Sequence, residues 1–233
     1  MDKYLRETKL LDYGNDEIQK LILERNFNSL SDFDKIGHIY NFVRDEIYFG
    51  YNYDDNIKAS RVLSDGFGQC NTKGILFMAL LRAVNIPCRI HGFTIDKRLQ
   101  KGAMTGMVYK FAPRNVLHSW VEVFFENKWY ELEGFILDKA YLDNLQNKYS
   151  DCNGSFLGYG VAVKDFKNPV IDWNKNNTYI QKEGINNDLG IYDAPDSLFF
   201  NYSQNMNYFK RFMYRNIGRH VMNRNVRRIR NFR

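Results

Sequence analysis

The feature that most constrains the fold is an apolar run in the first half of the chain. Residues 75–84 read ILFMALLRAV, and nine of these ten residues are apolar. A helix over this run is hydrophobic around its whole circumference, so neighbouring elements must cover it on all sides. Asn71 and Thr72, residues of the capping type, precede the run, and Asn85 and Pro87 end it. The sequence therefore predicts a buried central helix.

A cysteine lies at the predicted start of this helix. Cys70 follows the flexible Gly66 and Gly68, and Gly74 lacks a side chain one turn further on, so a strand or a substrate can approach the thiol. A thiol at a helix N-terminus meets the positive end of the helix dipole, which favours the nucleophilic thiolate. Free cysteines are more often simply buried. This position alone leaves a structural and a catalytic role open.

The composition indicates a globular fold without disulfide or zinc staples. With 233 residues the chain can form one large domain or two small ones. The three cysteines cannot all pair and show no CxxC spacing, which suits a reducing compartment. The first residues are charged, and no apolar stretch approaches ~20 residues, so we expect a cytoplasmic chain with no signal peptide and no membrane span.

The net charge of +6 is concentrated at the C-terminus. No Asp or Glu occurs after Asp196; residues 197–233 carry nine Lys or Arg, whereas the preceding part carries 24 basic and 27 acidic residues. Segment 205–233 predicts a basic helix with an apolar stripe formed by Phe209, Met213, Ile217 and Val221. This helix either packs on the domain through the stripe or binds a polyanion or an anionic membrane surface.

Before the central helix the sequence predicts two amphipathic helices. They cover residues 15–25 and 32–47, and Ser31 or Asp32 caps the second. The aromatic stretch that follows, YFGYNYDDN, reads as an ordered loop and supplies three tyrosines, Tyr48, Tyr51 and Tyr53. Aromatic residues in such a loop more often pack its surface than bind a substrate.

After the central helix, the pattern is mixed. Residues 87–95 alternate as a strand does, and 96–114 form a long polar loop with an apolar piece at 104–111 typical of an edge strand. A surface helix is predicted over 138–149. The region 150–196, rich in Asn, Asp, Gly and Pro, predicts irregular structure around the core with one short strand, GYGVAV.

A β-hairpin is the second strong signal. The runs LHSWVEVFF and WYELEGF alternate and are joined by the short polar turn ENK. His118 and Trp120 share one face of the first strand, and the returning strand brings Glu133 towards the level of His118, within a residue or two of register. A carboxylate beside a histidine orients the ring and fixes its tautomer.

Nucleophilic catalysis by cysteine requires a thiolate, a histidine that transfers protons, a group that orients the histidine, and N–H donors for the oxyanion. Cys70, His118 and Glu133 supply the first three in an order and structural context that fit together.

These residues resemble the transglutaminase-like superfamily, whose core runs Cys, His, Asp in a papain-like fold. Gly68-Gln69-Cys70, with the helix ending LLRAVNIPCRI, is similar to the family's cysteine helix with its R-A-x-G-I-P-x-R end. The second match is HSWVEV from His118, with Trp129 four residues before Glu133, similar to the family's H-x-W-x-E-V and W-x-x-x-D. The resemblance covers about residues 59–137.

Two positions depart from the family pattern. Asn85 stands where the family has Gly, and Asn tolerates the left-handed conformation that a helix end requires. Glu133 stands where the family has Asp, and its carboxylate can accept the same hydrogen bond with one more methylene group. Asp138, five residues further, is the alternative third member.

The resemblance implies an α+β, papain-like or transglutaminase-like fold in which the cysteine-bearing central helix packs on an antiparallel sheet. We expect one transglutaminase-like domain over residues 1–204, with its core at about 59–137 and the irregular region 150–196 wrapped around it. A basic C-terminal helix or tail covers 205–233.

The resemblance also implies acyl transfer from amide or peptide carbonyls through a thioester, with a peptide or protein as substrate. Hydrolysis is favoured over cross-linking because nothing in the sequence marks an amine site. The Cys70 amide is one expected oxyanion donor. Further oxyanion or substrate-binding candidates are Gln69, Tyr48, Tyr51, Tyr53 and Trp120.

Other candidate sites are weaker. His38, His91 and His220 lack a catalytic context, and the spacing of Asp188, Asp193 and Asp196 does not match a calcium loop, so we expect neither a metal nor a cofactor. The alternative function is a non-catalytic binding module on the same fold, recruited to nucleic acid or membrane by the basic tail.

Overall fold

The computed structural model describes residues 1–203 and 208–232, without the side chain of Phe209. The helices are α1 Asp16–Glu24, α2 Asp32–Asp45, α3 Ala59–Asp65, α4 Cys70–Ala83, α5 Gly106–Phe111, α6 Lys139–Lys148, α7 Pro195–Asn201, α8 Tyr208–Met213 and α9 Arg219–Arg230. The strands are β1 Tyr48–Phe49, β2 Phe67–Gly68, β3 Cys88–Asp96, β4 Asn115–Phe125, β5 Lys128–Leu132, β6 Phe156–Gly158, β7 Val161–Val163 and β8 Ile185–Tyr192. None of the described helices is long and apolar enough to cross a bilayer.

Helix α4 is the buried centre of the fold, as the apolar run predicts. Every residue from Cys70 to Arg82 is buried. The helix begins with a reciprocal cap, because the Gln69 side chain accepts from the backbone and the Thr72 hydroxyl accepts from the Gln69 N–H at 3.1 Å. Asn85 follows the C-cap of the helix, and its φ of 63° is the left-handed conformation expected there.

Helix α4 packs against a four-stranded antiparallel sheet in the order β5-β4-β3-β8, which confirms the predicted α+β arrangement. Strand β4 lies closest to the helix: a Cβ on Gly74 would stand 3.6 Å from Val121 Cγ2, an ordinary packing distance. Position 74 therefore packs directly against the strand that carries His118, and a methyl group would fit there.

The two N-terminal helices follow the sequence pattern closely. Asn15 caps α1 and Ser31 caps α2, each accepting a backbone N–H within the first turn. The buried side chains of α2 recur at helical spacing and face the core: Ile36, Ile39, Tyr40 and Val43.

The predicted hairpin is formed by β4 and β5. Glu126 and Asn127 both have positive φ, 48° and 61°, which is the backbone of the tight turn that suits a twisted hairpin. Phe125 pairs with Lys128 and Val121 with Leu132. Continuing this register places Glu133 beside Trp120, two residues from the level of His118, so a diagonal contact connects the two side chains.

Two regions differ from the sequence prediction. Residues 106–111 form helix α5 and not an edge strand; Gly106, with φ of 55°, turns the chain into the helix. The region 150–196 is not wholly irregular, because it contains the β6–β7 hairpin and strand β8 at the edge of the main sheet. Strand β8 carries Asn187, Asp188 and Gly190, residues uncommon in strands, and its pairing with β3 overrides that local preference.

The C-terminal segment forms α8, a π-helical turn at Tyr214–Gly218, and α9. The predicted stripe is wrong: Ile217 and Val221 are exposed, and α9 packs on the domain through Met222, Val226 and Ile229. The π-helical turn adds a residue to the helical repeat, which rotates the apolar face relative to a continuous helix. The described residues do not include the side chain of Phe209, the first member of the stripe. They also do not include residue 204, the expected domain boundary.

Candidate active site

Cys70 is the first residue of α4 and lies at the surface of the core with 7% of its area exposed. As the first helical residue it has a backbone N–H that α4 itself does not use. Its Sγ lies 3.7 Å from Asn71 Oδ1. A thiol in this position receives the N-terminal end of the helix dipole.

His118 lies on β4 and contacts Glu133. Its Nε2–H donates to Glu133 Oε1 at 2.7 Å, and both side chains are completely buried. No nitrogen or oxygen of the described residues is bonded to the other ring nitrogen, Nδ1. That nitrogen is available to the sulfur of Cys70, so the structure brings the three residues together in the predicted order.

Glu133 is held by backbone N–H groups as well as by His118. Its Oε2 accepts from Ile180 N and Gln181 N, each at 2.8 Å, and its own N–H donates to Thr178 O at 2.9 Å. The chain at 178–181 therefore fixes both the backbone and the carboxylate of Glu133. Sequence reasoning missed this support because it comes from backbone groups 45 or more residues away in an Asn-rich region.

The charges of this cluster favour the imidazolium form of His118. Burial alone would lower the pKa of His118, but the negative charge and hydrogen bond of Cys70, together with those of Glu133, raise it to about 10. A buried cation is stable only when it is paired. The arrangement therefore places the sulfur of Cys70, a ring that favours its protonated form and the side chain of Glu133 in one buried row.

Asn71 braces this row, and sequence reasoning saw it only as a capping residue. Asn71 Oδ1 accepts from the Ser119 hydroxyl at 2.9 Å, and Nδ2 donates to Leu117 O at 3.2 Å. These bonds join the first turn of α4 to the residues on either side of His118. They fix the distance between the nucleophile's helix and the histidine's strand.

Asp138 does not contact His118. It caps α6 by accepting from Tyr141 N at 3.0 Å, it accepts from Phe49 N at 2.9 Å, and it pairs with Arg230 of α9 at 2.7 Å. The hydrogen bond of Arg230 holds the pKa of Asp138 below its ordinary value against the effect of burial. Glu133, and not the alternative Asp138, is the carboxylate beside the histidine.

The Gln69 side chain is engaged elsewhere and is not a free oxyanion donor. Its Nε2 donates to Asp55 Oδ1 at 2.8 Å, and its Oε1 accepts from Asn52 N at 3.0 Å. Asn52 Oδ1 also accepts from Thr72 at 2.6 Å. Gln69 therefore acts in the structure as a link between the loop before α3 and the start of α4.

The three tyrosines of the aromatic stretch occupy different environments. Tyr48 and Tyr53 are exposed and lie under the guanidinium groups of Arg230 and Arg215, at 4.7 and 5.7 Å from the ring centres. Tyr51 is buried and donates to Gln100, and burial, followed by the charges of neighbouring tyrosines and Cys70, raises its pKa well above the ordinary value. The effect of Cys70 on this pKa shows that Tyr51 lies near the candidate nucleophile.

Trp120 shares the sheet face of His118 and is 4% exposed. Its ring packs on Phe93 at 4.2 Å between centres, and its Nε1 has no hydrogen-bond partner among the described residues. A buried indole N–H without a partner is costly. Trp120 therefore offers a donor that a carbonyl oxygen can satisfy.

A residue outside the predicted site lies near the thiol. Tyr214, in the π-helical turn, donates to Asn52 O at 2.9 Å. Burial and the charges of Asp55 and Cys70 raise the pKa of Tyr214, which places its ring beside the site. Cavities of about 560 and 490 Å³ open on the surface, and neither is lined by Cys70 or His118. Cys70 is 7% exposed and His118 is completely buried, so little of the site is accessible in this conformation.

The remaining titratable groups near the site have structural partners. Lys73, one turn after Cys70, donates to Arg44 O at 3.1 Å and Ile136 O at 3.0 Å, and burial lowers its pKa to about 7. His91 of β3 contacts two carboxylates: its Nδ1 lies 2.9 Å from Glu122 Oε1, and its Nε2 lies 2.9 Å from Asp188 Oδ1. Within residues 1–203 and 208–232, no three His, Cys, Asp or Glu side chains are grouped as metal ligands.

Comparison with known proteins shows what the part of the chain that carries this site is similar to. Residues 23–134 match the model of the transglutaminase-like superfamily. No curated protein matches the chain. Among solved structures, a candidate cysteine protease from Cytophaga hutchinsonii aligns at 13% identity with a TM-score of 0.48, over 84% of this chain and 47% of that one.

A second solved structure, red sea bream transglutaminase, aligns at 15% identity with a TM-score of 0.30, over 42% of this chain and 21% of that one. The chain thus spans less than half the length of either protein. The family match contains Cys70 and His118 and ends one residue after Glu133. Through residues 23–134, the chain is similar to the transglutaminase-like superfamily.

Proposed function

We propose that the chain is a cysteine-dependent acyl-transfer enzyme that acts on amide or peptide carbonyls of a peptide or protein, with Cys70, His118 and Glu133 as its triad. The observation that carries the proposal is the buried contact of His118 Nε2 with Glu133 at 2.7 Å, which leaves Nδ1 for the sulfur of Cys70. The match of residues 23–134 to the transglutaminase-like superfamily supports cysteine chemistry of this general kind.

In the first step, the Cys70 thiolate attacks the carbonyl carbon, a C–S bond forms, and the carbonyl electron pair moves to oxygen. The tetrahedral intermediate then collapses, the C–N bond breaks, and the Nδ1–H of the His118 imidazolium protonates the departing amine. The product is a thioester on Cys70. Glu133 keeps its charge throughout and stabilises the imidazolium through Nε2–H.

The oxyanion that forms needs N–H donors. The Cys70 backbone N–H points out of the first turn of α4, and Trp120 Nε1 is buried without a partner among the described residues. We propose these two as the donors in place of Gln69, whose amide already donates to Asp55. Trp120→Phe tests this role: the ring remains, the N–H is removed, and the acylation rate falls while thiol alkylation does not.

In the second step, His118 removes a proton from water, and hydroxide displaces Cys70 from the thioester and releases an acid. An amine in place of water gives a new amide and cross-linking. We propose that water is the acceptor. Adding a primary amine at increasing concentration to an acylated sample distinguishes the two, because an amine-using enzyme diverts most product to the amide.

The decisive experiment compares the three thiols of one chain. Iodoacetamide labelling at pH 6 to 8, read by peptide mass spectrometry, should modify Cys70 faster than the half-buried Cys152 and the buried Cys88, whose pKa burial raises to about 11. The same labelling of Tyr214→Ala is the control for access: if Cys70 is reactive but shielded by the tyrosine ring, its alkylation rate should rise in this variant. Equal rates for Cys70 and Cys152 in both proteins would refute the proposal.

One observation favours a second function. His118 and Glu133 are completely buried and Tyr214 lies near the thiol, as expected if the fold serves as a binding module without catalysis. The two functions differ in the fate of an activated substrate. A nitrophenyl ester of a short peptide should leave an acyl group on Cys70 in the enzyme and none in the module, and Cys70→Ala is the control for labelling elsewhere.

A further inference from the structure

A cationic groove, separate from the candidate active site, runs along the outer side of α9. It has a volume of about 560 Å³ and is lined by Phe67 on one side and by Arg219, Arg224, Arg227 and Arg228 on the other. We refer to these residues as the basic groove. Its existence does not depend on the proposed catalytic function.

Arginines in the middle of α9 are left without neutralising partners. Three guanidinium groups make no hydrogen bond or ion pair with any residue in the described ranges: those of Arg224, Arg227 and Arg228. By contrast, Arg215 pairs with Asp54 and Arg230 pairs with Asp138. The two ends of the segment are therefore anchored by ion pairs, and the charge between them faces the solvent. No acidic residue occurs after Asp196 to balance it.

The groove is rigid because α9 is fastened to the domain. Asn223 Oδ1 accepts from Tyr51 N at 2.7 Å and its Nδ2 donates to Tyr51 O at 3.0 Å, as a neighbouring strand would. The side chains of Met222 and Val226 are buried beneath the helix. Preorganised cations lose little entropy when they bind an anion.

This fastening argues against a membrane surface as the partner. A basic amphipathic helix binds a bilayer by inserting its apolar face between the head groups. In α9 that face, formed by Met222, Val226 and Ile229, is already buried in the protein. Only charged and polar side chains remain for a ligand.

The chemistry of the groove fits a phosphodiester chain with accessible bases. Arginine binds phosphate through a planar, two-pronged set of donors. Phe67 adds a half-buried aromatic ring at the edge of the cationic surface, and stacking of bases on such rings beside a cationic track is how proteins hold single strands. Paired bases in a duplex cannot stack on a ring in this way.

We propose that the basic groove binds single-stranded nucleic acid, with Arg224, Arg227 and Arg228 on the phosphates and Phe67 against a base. The 12 residues of α9 span about 18 Å, which limits the contact to a few nucleotides. Phe67 lies three residues before Cys70 in the chain, so the bound strand lies beside the candidate active site and outside it.

The test is fluorescence anisotropy of the full chain with labelled oligo-dT of about 12 nucleotides, measured over a range of salt concentrations. Replacing Arg224, Arg227 and Arg228 together by Gln should weaken binding by roughly tenfold or more and reduce the slope of log affinity against log salt by about 2, since each phosphate contact contributes about 0.7. These side chains are exposed, so the fold should be unchanged.

The matched control removes the same charge elsewhere, through Gln at the exposed Lys9, Lys20 and Lys167. It should alter affinity by less than about twofold, because counterions are released only where phosphates bind. An equal loss in both triple variants would show general charge attraction and overturn the site. Phe67→Leu should weaken oligo-dT binding without changing the salt slope, and an unchanged affinity would overturn the stacking contact.

Three competing ligands decide the class of partner. Polyglutamate, phosphatidylserine vesicles and a matched DNA duplex should each bind more weakly than oligo-dT at the same salt concentration. If polyglutamate or the vesicles bind as tightly and lose binding in the arginine variant, the partner is an acidic peptide or a membrane. If the duplex binds more tightly than the single strand, the role assigned to Phe67 is wrong.

Discussion

Two buried carboxylates, Glu133 and Asp138, lie five residues apart and serve different regions of the molecule. Glu133 accepts hydrogen bonds from His118 and from the backbone N–H groups of Ile180 and Gln181. It belongs to the candidate active site. All hydrogen-bond partners of its carboxylate are donors.

Asp138 belongs to a second network that joins three segments. It caps α6, accepts from Phe49 of β1, and pairs with Arg230 at the end of α9. Arg230 also donates to Phe49 O at 2.8 Å, so one ion pair fastens the C-terminal helix to the loop that leads to the site. We refer to Asp138, Arg230 and Phe49 as the C-terminal clasp.

Burial and residue type do not distinguish these carboxylates, since their exposures are 0% and 1%. Their partners do. A carboxylate beside a histidine that faces a thiol can act on a reaction, whereas one that pairs with an arginine between helices acts on stability. Substitutions of Glu133 should therefore change activity, and substitutions of Asp138 should change stability.

Cys70→Ala has the largest expected effect. Acyl transfer should be abolished because no other group can form the thioester, while the melting temperature changes little because the residue lies at a helix start and not in the apolar run. Intact mass spectrometry with an activated ester and a thermal melt measure both. An acylated Cys70→Ala protein would place the nucleophile elsewhere.

Glu133→Gln should reduce the acylation rate by roughly a thousandfold or more, by the logic of a triad carboxylate changed to amide. The carboxylate now accepts from His118 on one oxygen and from two backbone N–H groups on the other. An amide has one oxygen, so its NH₂ group must face either the ring N–H or the backbone donors. Single-turnover kinetics measure the loss.

Glu133→Asp is the control that keeps the charge. The shorter side chain cannot keep the bonds to His118 and to Ile180 N and Gln181 N together without backbone movement, so we expect a rate between those of the wild type and Glu133→Gln. If Glu133→Gln is as active as the wild type, the contact with His118 is structural only.

Asp138→Asn should act on stability. Breaking an ion pair that is largely buried costs about 3 kcal/mol, which lowers the melting temperature of a chain of this size by roughly 6–12 °C. Cys70 alkylation well below the new melting temperature should keep its wild-type rate. A large loss of alkylation with no change in melting temperature would reverse the roles of the two carboxylates.

Arg230→Gln and the variant that combines it with Asp138→Asn complete a double-mutant cycle for the C-terminal clasp. If the pair acts as a unit, the double variant should lose little more stability than either single variant. Additive losses would show that Asp138 stabilises the fold mainly through Phe49 N and the α6 cap.

The elements that position the nucleophile could be predicted from sequence because their signals are local. The apolar run gives α4, Asn85 gives its end, and the Glu126–Asn127 turn gives the hairpin that returns to Glu133. Each depends on neighbouring residues and on short-range conformational preference. The choice between Glu133 and Asp138 rested on the family resemblance and on approximate strand register.

Features built from distant backbone groups could not be predicted. The N–H groups of Ile180 and Gln181 carry no sequence signal, and strand β8 has residues that disfavour strands. The C-terminal stripe was assigned to the wrong face because the π-helical turn at Tyr214–Gly218 interrupts the regular helical repeat. The same turn places Tyr214 near Cys70, and no pattern in the sequence indicates that proximity.

Tyr214→Ala should increase the alkylation rate of Cys70 severalfold, because it removes the ring that lies near the thiol and its bond to Asn52 O. Tyr214→Phe is the matched control: it keeps the ring, loses only the hydroxyl, and should give an intermediate rate. Cys152 in the same samples reports any general loosening of the fold. A rate for Tyr214→Ala equal to that of the wild type would mean that the reagent reaches the thiol by another path.

The smallest expected effect is on the pH dependence of stability, and it separates the two networks by direction. The folded-state pKa of His118 is raised from 6.5 to about 10. Its contribution to stability is therefore complete below about pH 6.5 and is lost as the pH rises towards 10. The pKa of Asp138 is lowered from 3.8, so its contribution is present above that pH and is lost as the pH falls.

The measurement is the melting temperature of paired variants across pH. The gap between wild type and His118→Gln should shrink from pH 6 to pH 10, whereas the gap between wild type and Asp138→Asn should stay constant there and shrink below about pH 4. The charge of Cys70 is the main cause that raises the pKa of His118. In a Cys70→Ala background, the difference in melting temperature between the His118 protein and its Gln variant should therefore begin to shrink at a lower pH. A His118 gap that is constant from pH 6 to 10 would show that the ring is neutral in the folded protein, and the thiolate–imidazolium pair would then be absent from the resting state.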